Sequence, residues 1–247
     1  MAYTGPAFYD DEAIFEEYHA RRQHRTNANR LLEEPVIKEM IGAVDGLRIA
    51  DLGCGDGGFG VELLASGAAE YAGVDGSERM VAKARESLAG TVGTASLGIL
   101  EEWEAAAESY ELVVSRLVLH YLAEDDLLTL LRRVHAGLTP GGRLVVSVEH
   151  PVLTSCNASL EQSGRRGSWI VDGYFVTGER EVRWMGGTVR KHHRTVADYF
   201  RLLQEAGFAV EMLRESRPER ERFETEEEYQ RRMRIPLFLF LSGCKVC

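Results

Sequence analysis

Five glycines lie within the eight residues from Gly53 to Gly60, directly after a short apolar run that ends at Leu52. Glycine accepts positive φ values and lets backbone amides approach a ligand closely. The amphipathic segment 59–64 that follows is typical of the start of a helix, whose first N–H groups are unpaired and carry partial positive charge. A strand, a glycine turn and a helix N-terminus in this order indicate a nucleotide-binding site.

Asp51 stands two residues before the first glycine and affects which nucleotide the turn would bind. The spacing Gly53-x-Gly55-x-x-Gly58 also matches the dinucleotide fingerprint, which is unspecific by itself. A carboxylate at this place would repel a pyrophosphate but would attract an ammonium or sulfonium group. The run Asp51-x-Gly53-x-Gly55-x-Gly57 resembles the first motif of the class I S-adenosylmethionine-dependent methyltransferases. In that family the turn holds the methionine part of the cofactor.

A second acid, Asp75, ends the apolar run 71–75 and stands 22 residues after Gly53. It could accept hydrogen bonds from both ribose hydroxyls, a role that NAD-binding and methyltransferase folds share, although a plain turn acid is the simpler interpretation. Ser77 is a plausible helix N-cap, and the thioether of Met80 could cover one face of the adenine. Together the two acidic motifs predict that the cofactor is S-adenosylmethionine.

The end of the third predicted strand departs from the resembled family. That family often has an acid there to meet the adenine amino group, whereas this chain has Ile99. We therefore expect backbone groups near Leu100 and Glu101 to hold adenine, with packing from Trp103 or Met80, and Glu101 could supply the acid one step later. The full predicted cofactor set is Tyr18, Arg22, Asp51, Gly53, Gly55, Asp75, Gly76, Ser77, Met80, Leu100, Glu101 and Arg116.

Tyr18 and Arg22 belong to this set because of what precedes the first strand. Residues 8–34 have a helical pattern, and Pro35 begins a second short helix. The resemblance implies that helices in residues 1–46 cap the cofactor and substrate pockets. An amphipathic anchor and a solvated charge are the alternative interpretations of the two side chains.

Residues 151–194 form an insertion between the fifth strand and the next helix, and they are rich in aromatic residues. The alternating runs 169–175 and 180–184 predict a hairpin. Set over the ends of the strands, it would be a lid on a flat apolar or heteroaromatic substrate, touched by Trp169, Tyr174 or Trp184. The alternative is that these rings give the insertion a small core of its own.

Three histidines are candidates for a general base, because imidazole titrates near neutral pH. His120 follows the fourth predicted strand, His150 ends the fifth, and His193 leaves the insertion. The carboxyl ends of strands are where this kind of sheet places its site. We rank His150 first, although beside Pro151 it could serve only to hydrogen-bond the turning chain, and many methyl transfers need no base.

The elements that must position these residues follow from the apolar runs. The resemblance implies an α/β fold with a Rossmann-like doubly wound sheet of seven strands in the order 3-2-1-4-5-7-6, the last strand antiparallel. We divide its single methyltransferase domain into an N-terminal cap (1–46), a cofactor-binding core (47–150), the lid insertion (151–194) and the last helix with the edge strands (195–247). Alternating charges over 214–234 predict a solvated helix.

A narrower resemblance comes from Ser147-Val-Glu-His-Pro151, Trp184, Lys191-His-His-Arg-Thr195 and Pro236-Leu-Phe-Leu, which look like one bacterial group of class I methyltransferases of unassigned substrate. It runs from about residue 35 to the C-terminus. It implies methyl transfer to an N, O or C nucleophile of a small acceptor. A NAD-dependent oxidoreductase and a non-catalytic S-adenosylmethionine-binding regulatory module are the alternatives.

Composition sets the outer bounds. With 247 residues, 45% of them hydrophobic and 28% charged, the chain is ordinary for one globular α/β domain. A formal net charge of −10 argues against a nucleic-acid partner. No apolar run approaches the roughly 20 residues of a membrane span and no signal-peptide core is present, so we expect no membrane contact and a cytoplasmic location. The four cysteines predict no metal site, and the oligomeric state stays open.

Overall fold

The computed structural model describes residues 2–23, 27–155 and 169–246 of the chain. Its N-terminal part contains α1 (Gly5–Asp10), α2 (Glu12–Gln23), a π-helical turn (Asn29–Glu33) and α3 (Glu34–Ile41). The helix predicted over 8–34 therefore begins earlier and is interrupted at Asp11. Asp11 Oδ1 accepts hydrogen bonds from the N–H groups of Ala13 and Ile14, so it starts a new helix instead of continuing the first.

A seven-stranded sheet forms the centre of the protein, in the order β3-β2-β1-β4-β5-β9-β8. All its pairs are parallel except that β9 runs antiparallel to both β5 and β8. This order confirms the predicted 3-2-1-4-5-7-6 sheet, with a separate two-stranded hairpin, β6-β7, from the insertion. The strands are β1 (Arg48–Leu52), β2 (Glu70–Asp75), β3 (Thr94–Leu97), β4 (Tyr110–Arg116), β5 (Leu138–Glu149), β6 (Gly178–Trp184), β7 (Gly187–His193), β8 (Ala209–Glu215) and β9 (Phe238–Cys244).

Helices cover both faces of this sheet, as the buried side chains of two clusters show. On one face Leu130 and Leu202 pack against the strands, and on the other Ile37, Phe59 and Ala84 do so. Burial on both faces is why the parallel strands are almost entirely apolar. The helices after the N-terminal part are α4 (Gly58–Ala65), α5 (Glu78–Ser87), α6 (Glu124–Gly137), α7 (Pro151–Thr154), α8 (Val196–Glu205) and α9 (Glu226–Arg232).

The hairpin of the insertion differs from the prediction. The predicted run 180–184 does form a strand, β6, but it pairs with the following segment, β7, with Trp184 opposite Gly187. Residues 169–175, the predicted partner, form no strand. Met185 and Gly186 both have positive φ, of 45° and 77°, as a two-residue turn that matches the strand twist requires. Methionine is an unusual residue at such a position, and the sequence therefore concealed the turn.

Two further elements were predicted incorrectly in extent. The apolar run from Arg143 to Glu149 predicts the fifth strand, but β5 begins five residues earlier, at Leu138, and its pairing with β4 shifts register between Tyr110 and Leu112. In the charged segment 214–234, α9 is helical only from Glu226 and Phe223 is buried, with its ring 6.0 Å from that of Tyr229. This segment packs onto the protein and is not a freely solvated helix.

Within the described residues, no helix is long and apolar enough to cross a membrane. The same part of the chain contains no cluster of three or more His, Cys, Asp or Glu side chains arranged to hold a metal ion.

Candidate active site

A cavity of about 420 Å³ lies at the carboxyl ends of β1, β2, β4 and β5. A smaller one of about 190 Å³ adjoins it on the side of residues 99–101. The residues that line both are Tyr9, Gly53, Asp75, Val118 and Tyr121, so these five mark the junction of the two spaces.

The glycine turn after β1 forms one wall of this junction. Gly53 has a φ of +82°, and a Cβ there would lie only 2.2 Å from Cγ2 of Val118. No other residue type fits this position, because both the conformation and the space exclude a side chain. The turn therefore exposes bare backbone to a ligand.

Asp75, the last residue of β2, is held by backbone groups from both sides. Its Oδ2 accepts from the N–H of Gly55 and its Oδ1 from the N–H of Ser77, each at 2.9 Å. Burial raises the pKa of this carboxyl, and these N–H groups oppose the shift. Ser77 itself caps α5 by accepting from the N–H of Met80, which confirms the predicted cap.

Asp51 is buried behind the turn and does not line either cavity. Its Oδ2 accepts from the hydroxyl of Tyr71 at 2.7 Å, while its Oδ1 has no hydrogen-bond partner among the described residues. Burial raises the pKa of Asp51 to about 6. The structure thus keeps a poorly satisfied carboxylate close to the point where a cationic ligand would lie.

The residues predicted to contact adenine are divided between the two cavities. Gly76, Leu100 and Glu101 line the smaller cavity together with Ile99, but Met80 lines the larger one. Trp103 packs against the apolar core instead.

The N-terminal helices close the larger cavity from above. Tyr18 and Arg22 both line it, with the guanidinium of Arg22 5.9 Å from the centre of the Tyr18 ring. Sequence reasoning missed Tyr9, whose hydroxyl lies 3.2 Å from that of Tyr121 at the junction. The only available signal was the position of Tyr9 in a helix before the first strand.

Arg116 also lines the cavity, but its charge is already paired. Its Nε donates to Glu33 Oε1 at 3.0 Å, and its guanidinium lies 4.2 Å from the centre of the Phe59 ring. Although burial alone would lower the pKa of Arg116, the negative charge of Glu33 raises it. Ser147 donates a further hydrogen bond of 2.8 Å to Glu33, a buried acid that the sequence did not reveal as part of the site.

A second ion pair joins the hairpin to the sheet inside the cavity. Lys191 of β7 donates to Glu149, the last residue of β5, at 2.6 Å. Lys191 Nζ also lies 5.6 Å from the centre of the Tyr121 ring and 5.5 Å from that of Trp184. Burial opposes the charge of Glu149, yet Lys191 holds its pKa below the ordinary value.

His120 lines the same part of the cavity and is 2% exposed. Its Nδ1 has no hydrogen-bond partner among the described residues. Burial lowers the pKa of His120 to about 3, so its imidazole is neutral at physiological pH.

The other two candidate histidines line neither cavity, and both nitrogens of each ring have partners. His150 Nδ1 accepts from the N–H of Val152, and its Nε2 lies 2.9 Å from Glu215. His193 Nδ1 lies 2.7 Å from the hydroxyl of Thr154, and its Nε2 lies 2.9 Å from a backbone carbonyl oxygen. The ring of His150 connects the insertion with β8, and the ring of His193 connects two parts of the insertion, so both have structural environments outside the cavities.

The predicted lid residues divide in the same way. Trp169 and Trp184 line the cavity, whereas Tyr174 packs beside His193, with ring centres 5.9 Å apart. Arg231 and Arg232 at the end of α9 also line the cavity. The sequence did not indicate this position, because the alternating charges over 214–234 predicted a solvated helix.

Comparisons with known proteins identify the class. Residues 49–142 match the family model described as a methyltransferase domain. An S-adenosylmethionine dependent methyltransferase from Mesorhizobium loti, known from a crystal structure, is 34% identical over 91% of this chain and 99% of that one, with a TM-score of 0.78. A second crystal structure with that description, from Listeria monocytogenes, is 31% identical over 86% of this chain and 96% of that one, with a TM-score of 0.77. A methyltransferase of Schizosaccharomyces pombe is 26% identical over 82% of this chain and 75% of its own length.

The doubly wound sheet with its glycine turn defines a nucleotide-binding α/β protein. The likeness to the Mesorhizobium enzyme over almost the whole chain shows more: this chain belongs to the S-adenosylmethionine-dependent methyltransferases. S-adenosylmethionine is therefore its cofactor, and the oxidoreductase alternative is excluded.

Proposed function

We propose that this methyltransferase acts on an N, O or C nucleophile of a small aromatic or heteroaromatic acceptor. The observation that carries the proposal is the continuous cavity of about 420 Å³, which runs from the glycine turn to Trp169 and Trp184. Aromatic side chains provide large apolar surfaces for stacking, and a space of this size suits a small molecule.

The site fits the cofactor in two independent respects. Gly53 leaves a cradle that any Cβ would fill, and Asp51 keeps a buried carboxylate oxygen without a partner near that cradle. We propose that the adenine occupies the smaller cavity, that Asp75 binds the ribose hydroxyls and that Arg22 pairs with the carboxylate of the methionine part. The remaining predicted residues would then line the path between them.

The junction of the two cavities is the place we assign to the reacting methyl group. Its aromatic residues, Tyr9 and Tyr121, would contact this part of the cofactor and leave the rest of the larger cavity to the acceptor. The bound cofactor supplies a sulfonium methyl with a thioether leaving group. The protein mainly has to align the acceptor in line with the breaking S–C bond and exclude water.

His120 is the group we assign to the released proton. The acceptor's nucleophile would form a bond to the methyl carbon as the S–C bond breaks, and a hydroxyl oxygen or ring carbon that still carries its proton would become a strong acid once methylated. A neutral imidazole can accept that proton although the pKa of His120 is only about 3. The neighbouring Glu149 is less available, because Lys191 already neutralises it.

The test combines cofactor binding with transfer of a labelled methyl group. Phenols, indoles, pyridines and aromatic amines are offered with labelled S-adenosylmethionine, and binding of S-adenosylhomocysteine is measured by titration calorimetry. We expect methylation of at least one aromatic class, with the KM for that acceptor raised about tenfold in Trp184→Ala and an unchanged cofactor affinity. Trp103→Phe, a change outside the cavity, is the matched control. Transfer to none of these compounds, or a loss of cofactor binding in Trp184→Ala, would refute the proposal.

A further inference from the structure

The charges around the larger cavity contrast with those of the whole chain. The chain has a formal net charge of −10. Among the described residues that line the cavity, six carry a permanent positive charge and four are carboxylates. Clefts lined by one sign of charge concentrate ions of the opposite sign. An excess of cations here, in an acidic protein, therefore requires a reason.

Part of this excess is accounted for within the protein. Arg116 pairs with Glu33, Lys191 pairs with Glu149, and Arg21 at the rim pairs with Glu17 at 2.7 Å. Arg22 is assigned above to the carboxylate of the cofactor. The cofactor has only that one anionic group, so it uses only one arginine.

Arg231 and Arg232 are the two lining cations that these pairings do not include, and Arg231 is the one that keeps a buried nitrogen without a partner among the described residues. It has no ion pair in the part of the chain that the structure describes, and its Nε is buried without a hydrogen-bond partner there. A guanidinium offers five N–H donors in a planar fork that matches the oxygens of a carboxylate or a phosphate. A half-buried guanidinium on a cavity wall is thus ready to bind an anion.

Arg231 stands shortly before β9, which β4 and β5 separate from the cofactor-binding strands in the strand order. The chain after α9 enters β9, where Phe238 pairs with Glu149 of β5 and both residues line the cavity. The cofactor-binding residues follow β1 and β2, which lie on the other side of β4 in the strand order. Trp169, which also lines the cavity, belongs to the same apolar cluster as Leu237 and Phe238.

We propose that the methyl acceptor is an aromatic acid whose anionic group pairs with Arg231 while its ring lies against Trp169 or Trp184. This inference rests on the proposed function and names the substrate class for that site. The shared chemistry is a small planar or tetrahedral oxyanion, either a carboxylate or a phosphate. The nucleophile then faces the junction at Tyr121, with His120 beside it.

The experiment compares matched pairs of compounds on the enzyme saturated with S-adenosylhomocysteine. Each pair consists of an aromatic acid and its neutral counterpart: hydroxybenzoates with hydroxybenzamides, indole carboxylates with their amides, and hydroxyphenyl phosphates with dihydroxybenzenes. Affinities come from titration calorimetry, and KM values come from labelled methyl transfer. Arg231→Gln removes the charge, Arg231→Lys restores it without the fork, and Arg222→Gln serves as the control. Arg222 is in the same segment, but it is exposed and pairs with Glu219.

We expect at least one acid to bind about tenfold or more tightly than its neutral counterpart, because a charge-assisted hydrogen bond to arginine is lost in the neutral compound. Arg231→Gln should reduce the acid to the affinity of its counterpart, with partial recovery in Arg231→Lys and no change in Arg222→Gln. The affinity for S-adenosylhomocysteine should stay within twofold in all variants. The carboxylate and phosphate arms show which oxyanion the site prefers.

Three results would overturn the inference. If neutral aromatics are bound and methylated as well as their acids, the acceptor is not an acid, although the proposed function stands. If Arg231→Gln weakens S-adenosylhomocysteine instead, the arginine belongs to the cofactor. If no aromatic compound of either kind is bound or methylated, the inference fails together with the proposed function.

Discussion

The cofactor side and the acceptor side of the active site are built in different ways. On the cofactor side, the turn after β1 and the end of β2 are separated by about twenty residues, and backbone N–H groups fix Asp75 directly. On the side that we assign to the acceptor, the cavity is lined by His120 from the chain after β4, Trp184 and Lys191 from the hairpin, and Arg231 from α9. The two acidic motifs of the first side are local in sequence, whereas tertiary packing brings the second side together.

This difference has a physical consequence for how each side responds to change. The cofactor side uses bare backbone, and at Gly53 the space is so tight that a single added carbon atom meets a neighbour. The acceptor side uses long side chains and ion pairs, and these can change without altering the course of the backbone. Substitutions should therefore damage folding or cofactor binding on the first side and substrate choice on the second.

The largest effect that would sharpen this contrast is expected at Gly53. In Gly53→Ala the new Cβ would lie 2.2 Å from Cγ2 of Val118, at a φ of +82°. Overpacking and the left-handed backbone together should lower the free energy of unfolding by about 3–5 kcal/mol. Gly55→Ala is the control, because no atom lies within 4 Å of its Cβ and only the φ of +56° opposes it. Chemical denaturation of both variants measures the difference, and equal losses would show that the close contact is not the cause.

The next effect, on the cofactor alone, is expected at Asp75. Asp75→Ala removes the carboxylate that we assign to the ribose hydroxyls, where each charge-assisted hydrogen bond contributes roughly 1.5–3 kcal/mol. The affinity for S-adenosylhomocysteine should fall at least about tenfold in calorimetry. Asp75→Asn keeps the size and one acceptor oxygen, so it should bind with intermediate affinity. An unchanged dissociation constant in folded Asp75→Ala would disprove the assignment.

The same contrast explains what the sequence could predict. The strands around the glycine turn and the cap at Ser77 depend on local patterns, namely apolar runs, glycine spacing and a hydroxyl before a helix, whereas the sheet order followed from the family resemblance. The pairing of β6 with β7 was missed because Met185 in a two-residue turn has no typical turn signal. Lys191 and Arg231 were missed because charged residues usually indicate solvated surface. Only the folded structure shows that Glu149 neutralises Lys191 and that α9 brings Arg231 to the cavity.

A smaller effect, opposite in sign, is expected at Asp51. Burial raises its pKa to about 6, above the ordinary 3.8, so the native state binds this proton more tightly than the unfolded state. Its contribution to stability is therefore full below about pH 4 and is lost as the pH rises through about 6. Asp51→Asn stays neutral, and at pH 8 it should increase the free energy of unfolding by about 1–2 kcal/mol while weakening cofactor binding.

Urea denaturation of the wild type and Asp51→Asn between pH 4 and pH 8 measures this effect. The two curves should converge near pH 4, separate as the pH rises from about 4 to about 6, and run parallel above that. A variant that is less stable than the wild type at pH 8 would mean that the hydrogen bond from Tyr71 outweighs the burial of the charge.

The smallest effect on turnover is expected at His150. Its variants test whether His120, and not His150, accepts the proton from the methyl acceptor. The ring of His150 caps α7 by accepting from the N–H of Val152 and also contacts the exposed Glu215, so it has a structural environment. His150→Ala should lose about 1 kcal/mol of stability through the lost cap, and His150→Asn should recover most of it, because asparagine is a good N-cap. Turnover at saturating acceptor should stay within twofold in both variants.

His120→Asn, in contrast, should lower turnover by about 100-fold and change its pH profile if the proton passes to that imidazole. A large loss of turnover in His150→Asn with normal activity in His120→Asn would move the base to the end of β5 and refute the division of the site proposed here.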